Sequence, residues 1–132
     1  FWSKNAPLLV LETNNGQCEA ARYTKVFDLN KQQFTFSRLG QLWLFDEKLD
    51  IAIISIGSDE LEASGDAGKN ALSLYAYDIK KNRRTLIFSV ESEHPLYDPL
   101  GGLTIEFGPA GTRTVLIQLY RVSNSAKIKI RY

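Results

Sequence analysis

From residue 127 onward, apolar and basic side chains alternate: Ile128, Ile130 and Tyr132 fall on one face, Lys127, Lys129 and Arg131 on the other. Period-two alternation is the mark of a strand, because successive side chains point to opposite sides of the backbone. A wet face opposite an apolar one suits an antiparallel sheet. Just upstream, Val115, Ile117 and Leu119 alternate with Leu116, Gln118 and Tyr120, so both faces are substantially apolar and a central strand is expected. Ser123-Asn124-Ser125 supplies turn chemistry between the two segments, which read as a hairpin.

The same grammar recurs along the chain. Leu103, Ile105 and Phe107 alternate with Thr104 and Glu106, and Gly108-Pro109-Ala110-Gly111 then turns the backbone. Ala71 to Ile79 and Thr85 to Glu91 flank Lys80-Lys81-Asn82-Arg83 as a second hairpin. Ile51 to Ile56 is a short isoleucine-rich run that suits a buried strand. Phe34 to Leu39 and Leu42 to Phe45 read as strands meeting at Gly40, and Leu8 to Thr13 runs into Asn14-Asn15-Gly16, a strong turn signal. One segment resists. Gln17 to Val26 carries Glu19-Ala20-Ala21-Arg22, enough for two helical turns. The expectation is an all-β chain, residues 1–132 forming one domain, an antiparallel β-sandwich or β-barrel of about eight to ten strands with room for one short helix near residues 17–26.

An internal echo links two of these hairpins. Phe27-Asp28-Leu29-Asn30-Lys31 and Tyr77-Asp78-Ile79-Lys80-Lys81 are separated by fifty residues, and Thr35 and Thr85 keep that offset. Each reads as strand, Asp-bearing turn, strand. The pair resembles the outer hairpins of β-propeller blades, whose repeats have similar length. The resemblance covers about ten residues per copy. It implies a fragment of a β-propeller repeat protein; two unrelated hairpins with like turn chemistry are the alternative.

Composition narrows the function classes. Sixteen basic and fifteen acidic side chains leave a net charge of +1, without the basic excess that phosphate-neutralising proteins carry, so no nucleic-acid partner is expected. No apolar run approaches the length of about 20 residues that spans a bilayer as a helix. A single cysteine cannot make an internal disulfide. The chain has no methionine. The expectation from this is an exported protein, periplasmic or secreted, whose leader has been removed.

Candidate chemistry is sparse. Cys18 with His94 is the one pair from which a thiol nucleophile and base could be built, and Cys18 lies in no recognisable motif. Two Cys and His residues in total cannot supply an ordinary zinc site, so neither metal nor cofactor is expected. No Gly-x-Ser-x-Gly elbow is present, and the glycine-rich stretch at 108–112 lacks the Gly-Lys-Ser/Thr of a phosphate loop. Asp59, Glu60, Glu62 and Asp66 cluster around Gly65 and Gly68 without EF-hand spacing, which favours a solvated acidic loop over a calcium site. Lys80, Lys81, Arg83 and Arg84 form a basic cluster at a hairpin tip, read as a solvated turn that discourages edge pairing.

Two long polar segments, 58–70 and 91–102, remain, and irregular segments on a rigid scaffold are where recognition ordinarily sits. The expected binding residues are Asp59, Glu60, Glu62, Asp66, Glu93, His94, Tyr97 and Asp98. The expected function is non-enzymatic recognition of another protein, as an inhibitor or immunity-type protein does. A lectin-like module is the first alternative, with carbohydrate as partner and Trp2, Trp43, Tyr97 and Tyr132 as platforms, although Trp43 between Leu42 and Leu44 reads as core or sheet surface. A hydrolase using His94 and nearby acids is the second.

Overall fold

The structure, a computed structural model, describes residues 1–14, 22–57, 70–91, 102–120 and 125–132. Among these residues it is all-β, with ten strands and no helix: β1 (Leu8–Asn14), β2 (Arg22–Asp28), β3 (Gln33–Leu39), β4 (Gln41–Asp46), β5 (Ile51–Gly57), β6 (Asn70–Asp78), β7 (Arg83–Glu91), β8 (Gly102–Phe107), β9 (Thr114–Tyr120) and β10 (Ser125–Arg131). They form three antiparallel sheets with orders β1-β2-β3, β4-β5-β6-β7 and β10-β9-β8, each a simple meander, and none closes on itself. The helical expectation for residues 17–26 fails over its second half. Arg22 to Val26 belongs to β2, where Thr24 and Val26 are fully buried opposite Glu12 and Val10; residues 17–21 lie outside the described residues. A β-branched pair at period two, with a partner strand to cover it, outweighs the helix propensity of the alanines before it.

The sheets stack face to face, and the middle one has two apolar faces. Ile51 and Ile53 of β5, with Leu74 and Ala76 of β6, pack against Ile105, Val115, Ile117 and Leu119 of the last sheet. Ala52 and Ile54, with Phe45 and Tyr77, pack against Val10, Val26 and Phe36 of the first sheet. This is why residues 51–54 read as an unbroken apolar run: each of these four side chains meets another layer, whichever way it points.

A shared hydrogen bond relates the three sheets. The amide just after β2, β6 or β10 donates to the carbonyl just before β1, β5 or β9: Leu29 to Pro7 at 2.9 Å, Ile79 to Asp50 at 3.1 Å, Tyr132 to Arg113 at 2.8 Å. Register agrees, since Leu8 faces Asp28, Ile51 faces Asp78 and Thr114 faces Arg131. Residues 1–3 lie along the outer side of β1, as β4 lies along β5. Val10 donates to the Phe1 carbonyl at 2.7 Å, Ser3 donates to Leu8 at 3.0 Å, and Trp2 bridges Leu9.

The two segments of the fifty-residue echo make the same turn. Asp28 and Asp78 each close a turn by accepting backbone amides on Oδ1, from Asn30 and Lys31 in one case and Lys81 in the other. Four residues beyond each aspartate comes a residue at positive φ, Gln32 (52°) and Asn82 (50°). Asp46 makes the same turn between β4 and β5, accepting from Lys48 and Leu49, with Asp50 (55°) at the positive-φ place. Even a cross-strand pair is kept with its members exchanged. Lys25 lies 5.6 Å over the Phe34 ring, while fifty residues on Arg84 lies 4.6 Å over the Tyr75 ring.

Candidate functional site

In a meander, alternate connections leave from opposite ends of the sheet, and here the two ends differ. At one end β2–β3, β4–β5, β6–β7 and β8–β9 are joined by short turns of four to six residues. The other end is bounded by the paired positions Asn14 and Arg22, Gly57 and Leu72, Asn70 and Glu91, and Gly102 and Tyr120. From that end depart the connections 15–21, 58–69, 92–101 and 121–124. Gly40, joining β3 to β4, keeps the two sheets in step: its amide donates to the Arg22 carbonyl at 2.7 Å, and its carbonyl accepts from Thr24 Oγ1 at 3.1 Å.

The binding residues expected from the sequence, Asp59, Glu60, Glu62, Asp66, Glu93, His94, Tyr97 and Asp98, lie outside the described residues, as does Cys18. The strands fix where their segments begin and end. Asn70 and Glu91 are register partners, and Gly57 sits beside Leu72, so the segments 58–69 and 92–101 both start within one cluster of strand ends.

Other residues singled out in the sequence are placed by the structure. Trp43 is half-buried against the core, its indole Nε1 donating to Ser55 Oγ at 2.8 Å, so it is sheet packing rather than an open sugar platform. Tyr132 donates to Asp46 Oδ2 at 2.8 Å. Burial, that hydrogen bond and the carboxylate charge hold its hydroxyl proton well above the ordinary tyrosine range, despite the opposing pull of Arg113. The basic hairpin cluster is largely committed within the molecule. Lys80 pairs with Asp50 at 3.0 Å, Lys81 with Asp78 at 3.6 Å, and Arg84 covers Tyr75.

Two features at the short-turn end were not foreseen. The first is a cleft of about 730 Å³ between the β4–β5 and β8–β9 turns, walled by Phe1, Phe45, Phe107 and Tyr132 with Lys48 and Arg113 at its margin. Its size falls in the range of about 300–1,000 Å³ typical of small-molecule sites. The second is the fully buried carboxylate of Asp50, which accepts from Ser3 Oγ, from Asn5 Nδ2 at 3.0 Å and from Lys80 at 3.0 Å. It ties residues 3–5 to the turns on both sides of β5 and β6. Burial pushes this carboxyl up, but the hydrogen bonds from Ser3, Lys80 and Asn5, with the Lys80 charge, outweigh it, and the net shift is downward.

A carboxyl that binds its proton less tightly in the folded chain than in the unfolded one adds stability wherever it is ionised in both states. That contribution is complete above the unfolded value of about 3.9 and disappears as pH falls through the lower folded value. Asp50→Asn keeps a residue that tolerates positive φ and removes the charge. It is expected to cost about 2 kcal/mol at pH 7, as loss of charge-assisted hydrogen bonds does, and to close on the parent as pH falls through the lowered folded value. Urea titrations of both proteins across pH 2–7 check this; a pH-independent gap would refute it.

No protein-family model, curated protein or solved structure matches this chain. Among the described residues no helix is long and apolar enough to cross a membrane.

Proposed function

We propose that this protein is a non-enzymatic binding scaffold built from blade-like sheets, and that it recognises another protein through the end of the stack carrying the long connections. The observation that carries this reading is the contrast between the two ends. One is trimmed to turns of four to six residues, three of them closed by Asp28, Asp46 and Asp78, and the other emits segments of up to twelve residues from neighbouring strand ends. Segments 58–70 and 91–102, with Asp59, Glu60, Glu62, Asp66, Glu93, His94, Tyr97 and Asp98, form the recognition surface in this proposal. Three layers of interlocked sheet hold their roots, which lowers the ordering cost of binding. An inhibitor or immunity-type role fits a surface rich in acids.

The repeat geometry favours a specific architecture for the scaffold. Three sheets sharing one register and one inter-strand hydrogen bond, the first two also one Asp-closed turn, with β4 lying against β1, β2 and β8, fit consecutive blades of a β-propeller. In that reading β4 and β8 are inner strands, and β3 and β7 are outer ones.

The test is affinity capture on the immobilised chain from its native extract, with charge reversals at each end. Glu60→Lys with Glu62→Lys, or Asp98→Lys, is expected to weaken capture of the principal partner about tenfold, equivalent to about 1.4 kcal/mol. Glu47→Lys at the short-turn end is expected to leave it unchanged. The opposite pattern would overturn the proposal, and so would a turnover activity that His94→Ala abolishes in a folded protein.

A further inference from the structure

We propose that the cleft between the β4–β5 and β8–β9 turns binds a small aromatic carboxylate, with the ring held between aromatic walls and the anion on Lys48 and Arg113. The cleft lies at the short-turn end, away from the long connections, and rests on different residues from the protein-recognition surface.

The lining sets the body of the ligand. Phe1 and Phe45 form one tilted aromatic pair, with ring centroids 6.3 Å apart, and Phe107 and Tyr132 form another at the same separation. Leu49 and Phe107 are each 40% exposed, so apolar surface faces the opening rather than the core. A flat ring meets such pairs offset or edge-on, the arrangements aromatic groups prefer. A volume of about 730 Å³ suits a small molecule.

Charge sets the rest. Both acids of the β4–β5 turn are engaged. Asp46 accepts the Lys48 and Leu49 amides on Oδ1 at 3.0 and 3.1 Å and the Tyr132 hydroxyl on Oδ2 at 2.8 Å, and Glu47 pairs with Lys4 at 3.1 Å. No ion pair among the described residues engages Lys48 or Arg113, and both are exposed. The Arg113 guanidinium lies 5.6 Å over the Tyr132 ring, beside the aromatic wall. Arg113 stands just before β9 as Asp50 stands just before β5, both at positive φ, 49° and 55°. In the middle sheet that place holds a buried carboxylate that ties segments together; in the last it holds a cation at the mouth of a cleft. A guanidinium fork donates two parallel hydrogen bonds to one carboxylate, and the lysine adds a second positive charge.

The cleft opens between two adjacent sheets, and most of its lining, residues 45–49 and 107–114, is internal to the chain. Phe1 and Tyr132 occupy places that recur in the other sheets. Phe1 pairs with Val10 as Leu44 pairs with Ile53, and the residues leading into Leu44 come along β4 from the long-connection end. Tyr132 corresponds to Leu29 and Ile79, after which the backbone turns outward into β3 and β7. Chain following the same pattern before Phe1 or after Tyr132 runs away from the cleft, so its opening does not depend on either end.

The full chain, isotope-labelled for amide NMR, is titrated at neutral pH with cinnamate, with its neutral amide and with cationic cinnamylamine. Expected is saturable binding of cinnamate with Kd of about 1 mM or below, ordinary for a ligand of that size, and shifts centred on residues 46–49 and 107–114. The amide and the amine should bind about tenfold more weakly or worse. Lys48→Gln with Arg113→Gln should erase the advantage of the acid over the amide and leave the strand spectrum intact, since both positions are exposed and Gln32 already holds a positive φ of 52°. Phe107→Ala should weaken acid and amide alike. Four results would overturn the proposal: no saturable binding of cinnamate, equal binding of acid and amide, shifts centred elsewhere, or an acid preference that survives the double substitution. Binding of a peptide ending in phenylalanine, without binding of cinnamate, would also overturn it and give the cleft to a protein terminus. Charge reversal at Glu60 and Glu62 is expected to leave cinnamate binding unchanged, so this proposal and the recognition reading fail separately.

Discussion

Replacing Gly40 by alanine is expected to lower the free energy of unfolding by about 3–4 kcal/mol, the sum of a backbone and a packing term. Gly40 has φ of 140°, a region that residues with a Cβ rarely enter, and forcing one there costs about 1–3 kcal/mol. A Cβ would also stand 2.3 Å from Cγ2 of Ile54 and 3.0 Å from the Ser55 carbonyl oxygen. Ile54 is 2% exposed and wedged between the first and middle sheets, so it has nowhere to go. Overpacking of this sort adds about 1–3 kcal/mol. Gly111 is the control: its φ of 80° is also positive, but nothing lies within 4 Å of the methyl that alanine would bring, so Gly111→Ala should show the backbone term alone, about 1 kcal/mol. Guanidinium titrations of the two variants decide it. Equal losses would mean that the close approach at Gly40 does not couple the sheets.

Much of the sheet content was legible because alternation is a local signal. The segments around Leu103 to Phe107, Val115 to Tyr120 and Ile128 to Arg131 needed only their own residues to be read as strands. The turns after Asp28, Asp46 and Asp78 are likewise local, being closed by a side chain reaching amides two and three residues on in the first two, and three residues on in the last. β2 was obscured because Glu19-Ala20-Ala21-Arg22 favours helix, while the decisive partners, Val10 and Phe36, come from other strands. Layering was not legible at all. That Ile51 and Ile53 face one sheet while Ala52 and Ile54 face another is a property of three chain segments together. The Asp50 network escaped for the same reason: Ser3, Asn5 and Lys80 reach it from distant parts of the chain, with no spacing to betray them. As for the candidate site, its anchoring strand ends are placed, and the acidic residues between them rest on the sequence alone.

Leu74→Ala is the second substitution expected to be severe, at about 3–4 kcal/mol, because a large side chain is removed from a site with little room to collapse. Leu74 is fully buried in the layer joining the middle sheet to the last one, among Ile53, Ala76, Ile117 and their neighbours. Its backbone is fixed on both sides, paired with Ser55 of β5 and Phe88 of β7, so the walls of the cavity cannot close by shifting one strand. Where each sheet packs chiefly on its neighbour, stability is approximately intrinsic terms plus nearest-neighbour interface terms, as in stacked repeats. Damage at this interface should therefore fall unevenly. Hydrogen exchange in Leu74→Ala is expected to quicken more in β8–β10 than in β1–β3, because the first sheet keeps its own layer of Val10, Val26, Phe36 and Tyr77. Val26→Ala should give the mirror result. A uniform loss of protection across all three sheets in both variants would show that the stack unfolds as one unit and that its interfaces are not separable.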